Sequence, residues 1–168
     1  SSAASDVYKR QYYTEDYASN AAAFHNMVSS FICEGVFAKF SDLKIVLAES
    51  GFTWFPAHLW RLTKFWRGLR AEIPWVDRPP IEIARDHFRL TLQPIDAPPT
   101  TEQFERLMDH MGSDEMLLYS TDYPHWQFDE TNVIPDGITK DLALKIMEQN
   151  PKNTYPRLSA PLNNGIDQ

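Results

Sequence analysis

The sequence has one cysteine, Cys33, in 168 residues. A lone thiol excludes an internal disulfide and a Cys-based zinc cluster, and it fits a reducing, cytoplasmic setting. No apolar run approaches the ~20 residues that cross a bilayer, so no membrane partner is expected. Positive charge is also scarce. Lys and Arg number 16 against 23 Asp and Glu, for a formal net charge of −7. That excludes a general nucleic-acid binder, which needs a basic surface to displace counterions. No phosphate loop, dinucleotide fingerprint or Gly-x-Ser-x-Gly occurs, and neither does the His-x-His or His-Glu-x-x-His of a self-contained zinc site. The length is too short for a complete (β/α)8 barrel, which takes about 250 residues. What is present is globular: 43% hydrophobic residues, 13% of the chain aromatic, enough for one domain with a buried core.

Residues 1–11 (SSAASDVYKRQ) have no hydrophobic period and no cap. They read as a frayed terminus or as a leader foreign to the natural protein, and they carry no fold argument. From Thr14 the spacing turns helical, with Tyr17, Ala21, Phe24, Val28, Phe31 and Gly35 on one face. Residues 43–48 (LKIVLA) form a short, nearly continuous apolar run that suits a parallel strand buried on both faces. Phe55, Leu59, Leu62, Trp66 and Leu69 mark a second helix, which Pro74, Pro79 and Pro80 stop in a loop. The tryptophans Trp54, Trp60, Trp66 and Trp75 read as packing residues. Residues 88–92 (FRLTL) predict a second strand. Thr100 with Gln103 fits a capping box and Gly112 a carboxyl-terminal cap, which predicts a helix over 101–111. Residues 116–119 (MLLY) predict a third strand, 120–130 a polar and aromatic loop, and Ile138, Leu142 and Ile146 a last helix ending before Pro151. A loose tail follows over 156–168. Strands alternating with helices, without a tight hairpin signal, predict an α/β fold of parallel βα units.

Charge is uneven. Residues 56–89 hold seven basic against four acidic groups, whereas 96–136 hold ten acidic groups and only Arg106 as a base. A solvated surface explains either block, but the acidic one includes the loop after the third strand, where a cation-binding mouth would also look like this.

Three candidate positions follow strands directly. In parallel α/β proteins, groups at the carboxyl ends of strands line the ligand site. Asp122, in the stretch Ser120-Thr121-Asp122-Tyr123-Pro124-His125, can bind a metal ion or serve as a general base, with His125 as a polar wall or donor to substrate. Glu49 ends the first strand, and Gln93 ends the second with an amide to offer. Taken alone, each is also an ordinary turn or strand-end residue. Of the other histidines, His25 reads as a packing or partly exposed residue, His58 as part of the packing or of a salt-bridge surface, and Cys33 as inert core.

Two stretches together are specific. They are residues 35–61 (GVFAKFSDLKIVLAESGFTWFPAHLWR) and residues 117–128 (LLYSTDYPHWQF). With Arg78-Pro79-Pro80, His87-Phe88 and Thr91-Leu92-Gln93-Pro94 between them, they closely resemble the carboxyl-terminal half of amidohydrolase-related proteins. The nearer subgroup is the aminocarboxymuconate-semialdehyde decarboxylase-like one. The resemblance spans about residues 12–155. It implies a metal-dependent (β/α)8 TIM barrel of which these are about strands six to eight, so that the chain is a carboxyl-terminal part of an incomplete barrel. It further implies that Asp122 matches the eighth-strand aspartate, a metal ligand and proton acceptor. Glu49 stands where many members carry a catalytic histidine. The resemblance carries no firm role for His125, and His125 and Gln93 are placed as candidate substrate contacts at the mouth from their positions alone. The implied cofactor is a divalent ion, zinc or manganese, whose remaining ligands belong to the missing amino-terminal half. The implied activity is hydrolysis or non-oxidative decarboxylation of a small carboxylate or amide-like substrate, in a parent protein that can form a homodimer; the chain alone is expected to be inactive. The reading from a different class is a non-catalytic α/β binding module in which Asp122 and Glu49 only order loops.

Overall fold

The computed structural model describes residues 12–125, 134–135 and 137–158. The leader 1–11, the second half of the loop predicted over 120–130 and the tail beyond 158 lie outside them. Helices α1 (Tyr13–Ser19) and α2 (Ala21–Cys33) replace the single long helix that the 4,3 spacing predicts. That face is buried fully only at Val28 and Gly35, while Tyr17 is exposed. Gly35 ends the run with φ +69, a left-handed conformation, and a side chain there would meet the Trp75 ring at 2.5 Å. A short helix α3 (Val36–Lys39) then leads to strand β1 (Ile45–Leu47).

Helix α4 (Phe55–Leu69) carries Pro56 in its first turn, where the missing N–H costs nothing. It buries Phe55, Pro56, Leu59 and Thr63, but Leu69 at the far end of the predicted face is half exposed. The predicted loop through Pro79 and Pro80 is a correction. Pro80 opens helix α5 (Pro80–His87), and two helices therefore separate β1 from β2 (Phe88–Thr91). A Pro pair reads as a breaker, yet Pro80 sits at a first helical position that favours its fixed φ. Trp54 and Trp66 pack partly buried against the core, whereas Trp60 and Trp75 are about half exposed.

Helix α6 (Thr101–Met111) has the predicted caps. Thr100 accepts from the Gln103 N–H at 3.3 Å, and Gly112 is left-handed with φ +64. Strand β3 is only Leu117–Leu118. The last helix does not end before Pro151. Helix α7 (Lys140–Leu144) widens into a π turn over Lys145–Gln149 and continues as α8 (Asn150–Thr154). Proline inside a helix removes a hydrogen bond and crowds the carbonyl four residues back; a wider turn relieves that crowding. One carbonyl of the π turn, from Ile146, accepts from Tyr119 at 3.2 Å. Asn150 Nδ2 donates to the carbonyls of Asp114 and Leu117. The helix is thereby tied to both ends of β3.

The sheet is parallel throughout, in the order β1-β2-β3. Leu47, Leu90 and Leu117 stand side by side in register, and each is at most 1% exposed. Burying one such side chain contributes about 1.5–3 kcal/mol. Phe88 meets Phe37, Phe55 and Phe31 edge-on at 5.3, 6.1 and 6.4 Å, which packs α2, α3 and α4 against the sheet. Among the described residues no helix is long and apolar enough to cross a membrane.

Candidate active site at the carboxyl ends of the strands

The parallel order puts the ends of β1, β2 and β3 on one edge of the sheet, where Glu49, Gln93 and Asp122 follow their strands by two to four residues. Hydrogen bonds join those ends. The Glu49 N–H donates to Thr91 Oγ1 at 3.0 Å, and that hydroxyl donates to the Gln93 carbonyl at 3.1 Å. The Gln93 N–H in turn donates to Ser120 Oγ at 3.1 Å. Gln93 is buried and Glu49 is exposed. The side-chain links thus come from Thr91 and Ser120, which the sequence reading did not single out as site residues.

Glu49 and Asp122 share a backbone feature. Both are left-handed, with φ 57 and 58, and they are the two non-glycine residues with positive φ among the described ones. Such a conformation costs of order 1–3 kcal/mol outside glycine, less for Asp than for Glu, and it gathers at ligand sites. Asp122 turns its carboxylate inward, with 10% of its side chain exposed. Its Oδ2 lies 3.3 Å from Nδ1 of His125, which is 46% exposed. The same turn is closed by the His125 N–H donating to the Asp122 carbonyl at 2.8 Å.

A second clamp holds the loop after β1 to the loop after β2. The Asp96 carboxylate accepts from the N–H groups of Phe52 and Thr53 and from Thr53 Oγ1, the last at 2.7 Å. Gly51 makes that approach feasible: it is left-handed, and a Cβ would sit 2.5 Å from Asp96 Oδ2. Trp54 Nε1 donates back to the carbonyls of Ser50 and Gly51. Its ring lies 4.4 Å from that of His25, which stacks on His58 at 4.6 Å. Burial lowers the pKa of both histidines, and His25 lowers that of His58 further. His58 Nε2 pairs with Ser29 Oγ at 3.0 Å, so the packing role read for both histidines matches their surroundings.

The amidohydrolase family model matches residues 18–157. The chain belongs to the amidohydrolase family. No curated protein matches it. Amidohydrolases are a metal-dependent, hydrolase-like family, which bears on the donor set described above. A catalytic zinc takes three protein ligands and a water. Asp122 and His125 are brought together, but Glu49 and Gln93 are linked to each other rather than to them. Among the described residues no group of three or more His, Cys, Asp or Glu side chains is placed to hold a metal ion. These residues therefore do not hold a catalytic metal by themselves.

Proposed function

We propose that the three βα units belong to a (β/α)8 barrel of an enzyme that hydrolyses or decarboxylates a small carboxylate or amide-like substrate, with a decarboxylase-like member as the nearer relative. The observation that carries this reading is the Asp122 carboxylate. It is nearly buried, held on a left-handed turn at the carboxyl end of a parallel strand, and partnered by His125. In this reading the metal ion of the family, zinc or manganese, takes its remaining ligands from other strands of the barrel.

The chain's own groups have separate tasks. Asp122 accepts a proton from the attacking water and returns one to the leaving group, and His125 fixes the carboxylate's orientation. Gln93, buried at the neighbouring strand end, lines the floor beneath the substrate. Glu49, exposed at the rim of β1, meets the substrate's polar end. The protein works on a small molecule, in the cytoplasm, without nucleic acid or membrane, and a homodimer is compatible with this arrangement.

The experiment is to compare the complete barrel protein, the strands that supply the other ligands included, with its Asp122→Ala variant for bound zinc and manganese and for turnover of a panel of small amides and carboxylic acids. Loss of both metal and turnover supports the reading. Turnover that survives the substitution overturns it, and a protein without metal or turnover in either form is the binding module instead.

A further inference from the structure

The opposite, amino-terminal edge of the sheet opens on a cleft of about 760 Å3. Lys44, one residue before β1, lines it with Arg89 from β2 and Glu115 from the approach to β3. Arg78 and Arg85 contribute from α5 and the turn before it.

Arg89 is the uncommon group here. It is only 4% exposed, and its Nη1 spreads over three main-chain carbonyls, those of Phe88, Arg85 and Asp86, at 2.7, 3.1 and 3.3 Å. Its Nε is buried and has no hydrogen-bond partner. Among the described residues no carboxylate lies within ion-pair distance of it; Glu115 and Asp86 act on it only from farther away. Lys44 Nζ donates at 2.6 Å to the Asp86 carbonyl, the same oxygen that Arg89 reaches. Two cations therefore converge on one neutral oxygen. The Asp86 carboxylate is taken by Arg78 at 2.5 Å. Burial lowers the pKa of Lys44 and of Arg89, and Arg89 lowers that of Lys44 further, against the opposing pull of Asp86, Glu115 and Asp42. A buried cation without a counterion is costly, and an oxyanion with several acceptors offsets that cost.

We propose that this cleft binds a small oxyanion of the phosphate class, held by Lys44 and Arg89. Two converging cations favour a dianion over a monocarboxylate. The planar guanidinium fork matches phosphate oxygens, and Nη2, which makes no hydrogen bond among the described residues and is not buried like Nε, is the edge it has left to give. Asp77, Asp86 and Glu115 also line the cleft; Asp86 is paired with Arg78, and Asp77 and Glu115 are solvent-exposed, where water screens their charge. None of the residues at the carboxyl ends of the strands takes part, and the site stands whatever reaction occurs there.

The test is thermal unfolding of the full chain in sodium phosphate against sodium chloride and sodium acetate at matched ionic strength, with calorimetric titration of inorganic phosphate. Phosphate is expected to raise Tm to a plateau, and acetate is not. Lys44→Met is expected to weaken the apparent phosphate affinity about tenfold or more, the size of a lost hydrogen bond to a charged group. Lys64→Met, on the exposed part of α4, leaves it unchanged. Arg89 is deep enough that its loss can unfold the chain, so the Lys44 variant carries the decision. A phosphate monoester that binds more tightly than the free ion identifies a phosphoryl group on a larger ligand as the occupant; equal binding identifies inorganic phosphate. The proposal is overturned by a phosphate response that does not saturate, by acetate acting as well as phosphate, or by Lys44→Met leaving the affinity unchanged.

Discussion

The main-chain N–H of Glu49 rests on the hydroxyl of Thr91 at 3.0 Å, across a sequence separation of 42 residues. The same hydroxyl donates to the Gln93 carbonyl. One side chain thus fixes the exit of β1 and the exit of β2 at once, and it holds Glu49 in its left-handed conformation. Thr91→Val keeps the shape and removes both bonds. The expected loss is about 1–2 kcal/mol, since water reaches the exposed Glu49 side but less of the Gln93 side. Thr91→Ser, which restores the hydroxyl, recovers most of it. Chemical denaturation of the three proteins decides the matter, and equal stability of the Val variant would show the link to be idle.

Asp122 separates charge from backbone strain. Asn tolerates the left-handed region at least as well as Asp, so Asp122→Asn keeps the turn while deleting the proton acceptor. Turnover is expected to fall by about 10²–10⁴-fold, with Tm nearly unchanged. A fall in activity matched by a fall in Tm would instead mark Asp122 as a loop-ordering residue. His125→Gln, which keeps a donor near Oδ2, is expected to retain most of the activity.

Gly51 and Asp96 make a third case. Gly51→Ala puts a methyl group 2.5 Å from Asp96 Oδ2 at φ +64. The carboxylate has to give up its bonds to the 52–53 segment, or the loop has to shift. A loss of about 1–3 kcal/mol is expected from strain together with the weakened clamp. Asp96→Ala alone loses the clamp without the strain. If Gly51→Ala is added to it, the further loss should be smaller than in the parent, which a double-mutant cycle measures directly.

The parts of this arrangement that were legible in the sequence are those written locally. The run of residues 43–48 reads as a parallel strand because it is short and nearly continuously apolar, although Ile45 and Val46 are only half buried, and 88–92 reads as a strand because it alternates. Thr100 and Gly112 mark α6 because caps depend on a few neighbouring residues. Glu49, Gln93 and Asp122 stand out because each directly follows such a strand. Local signals misled where one residue type serves two purposes. Pro80, in a proline run that reads as a loop, starts α5, and Pro151, which reads as a helix stop, passes through a helix widened by a π turn. Thr91, Ser120 and Asp96 were not legible because their partners lie 27 to 44 residues away. Lys44 and Arg89 were hidden for the same reason: they meet only after the sheet has formed.

The stacked rings of His25 and His58 give the fold a pH dependence with a definite sign. Burial holds both imidazoles below the ordinary histidine value of 6.5. The unfolded chain therefore binds more protons than the folded one as pH falls through 6.5, and stability falls with it. This part of the stability is complete above 6.5 and is lost on acidification through the depressed folded values. Below those the rings are both charged at 4.6 Å and repel. The chain is thus expected to unfold at a lower Tm at pH 5.5 than at pH 7.5. His25 Nε2 is buried with no hydrogen-bond partner, so His25→Phe removes an unsatisfied group while keeping an aromatic ring against Trp54. That variant should equal or exceed the parent's Tm at pH 7.5 and show a narrower gap between the two pH values. A gap unchanged by the substitution would assign the acid sensitivity to groups other than this histidine pair.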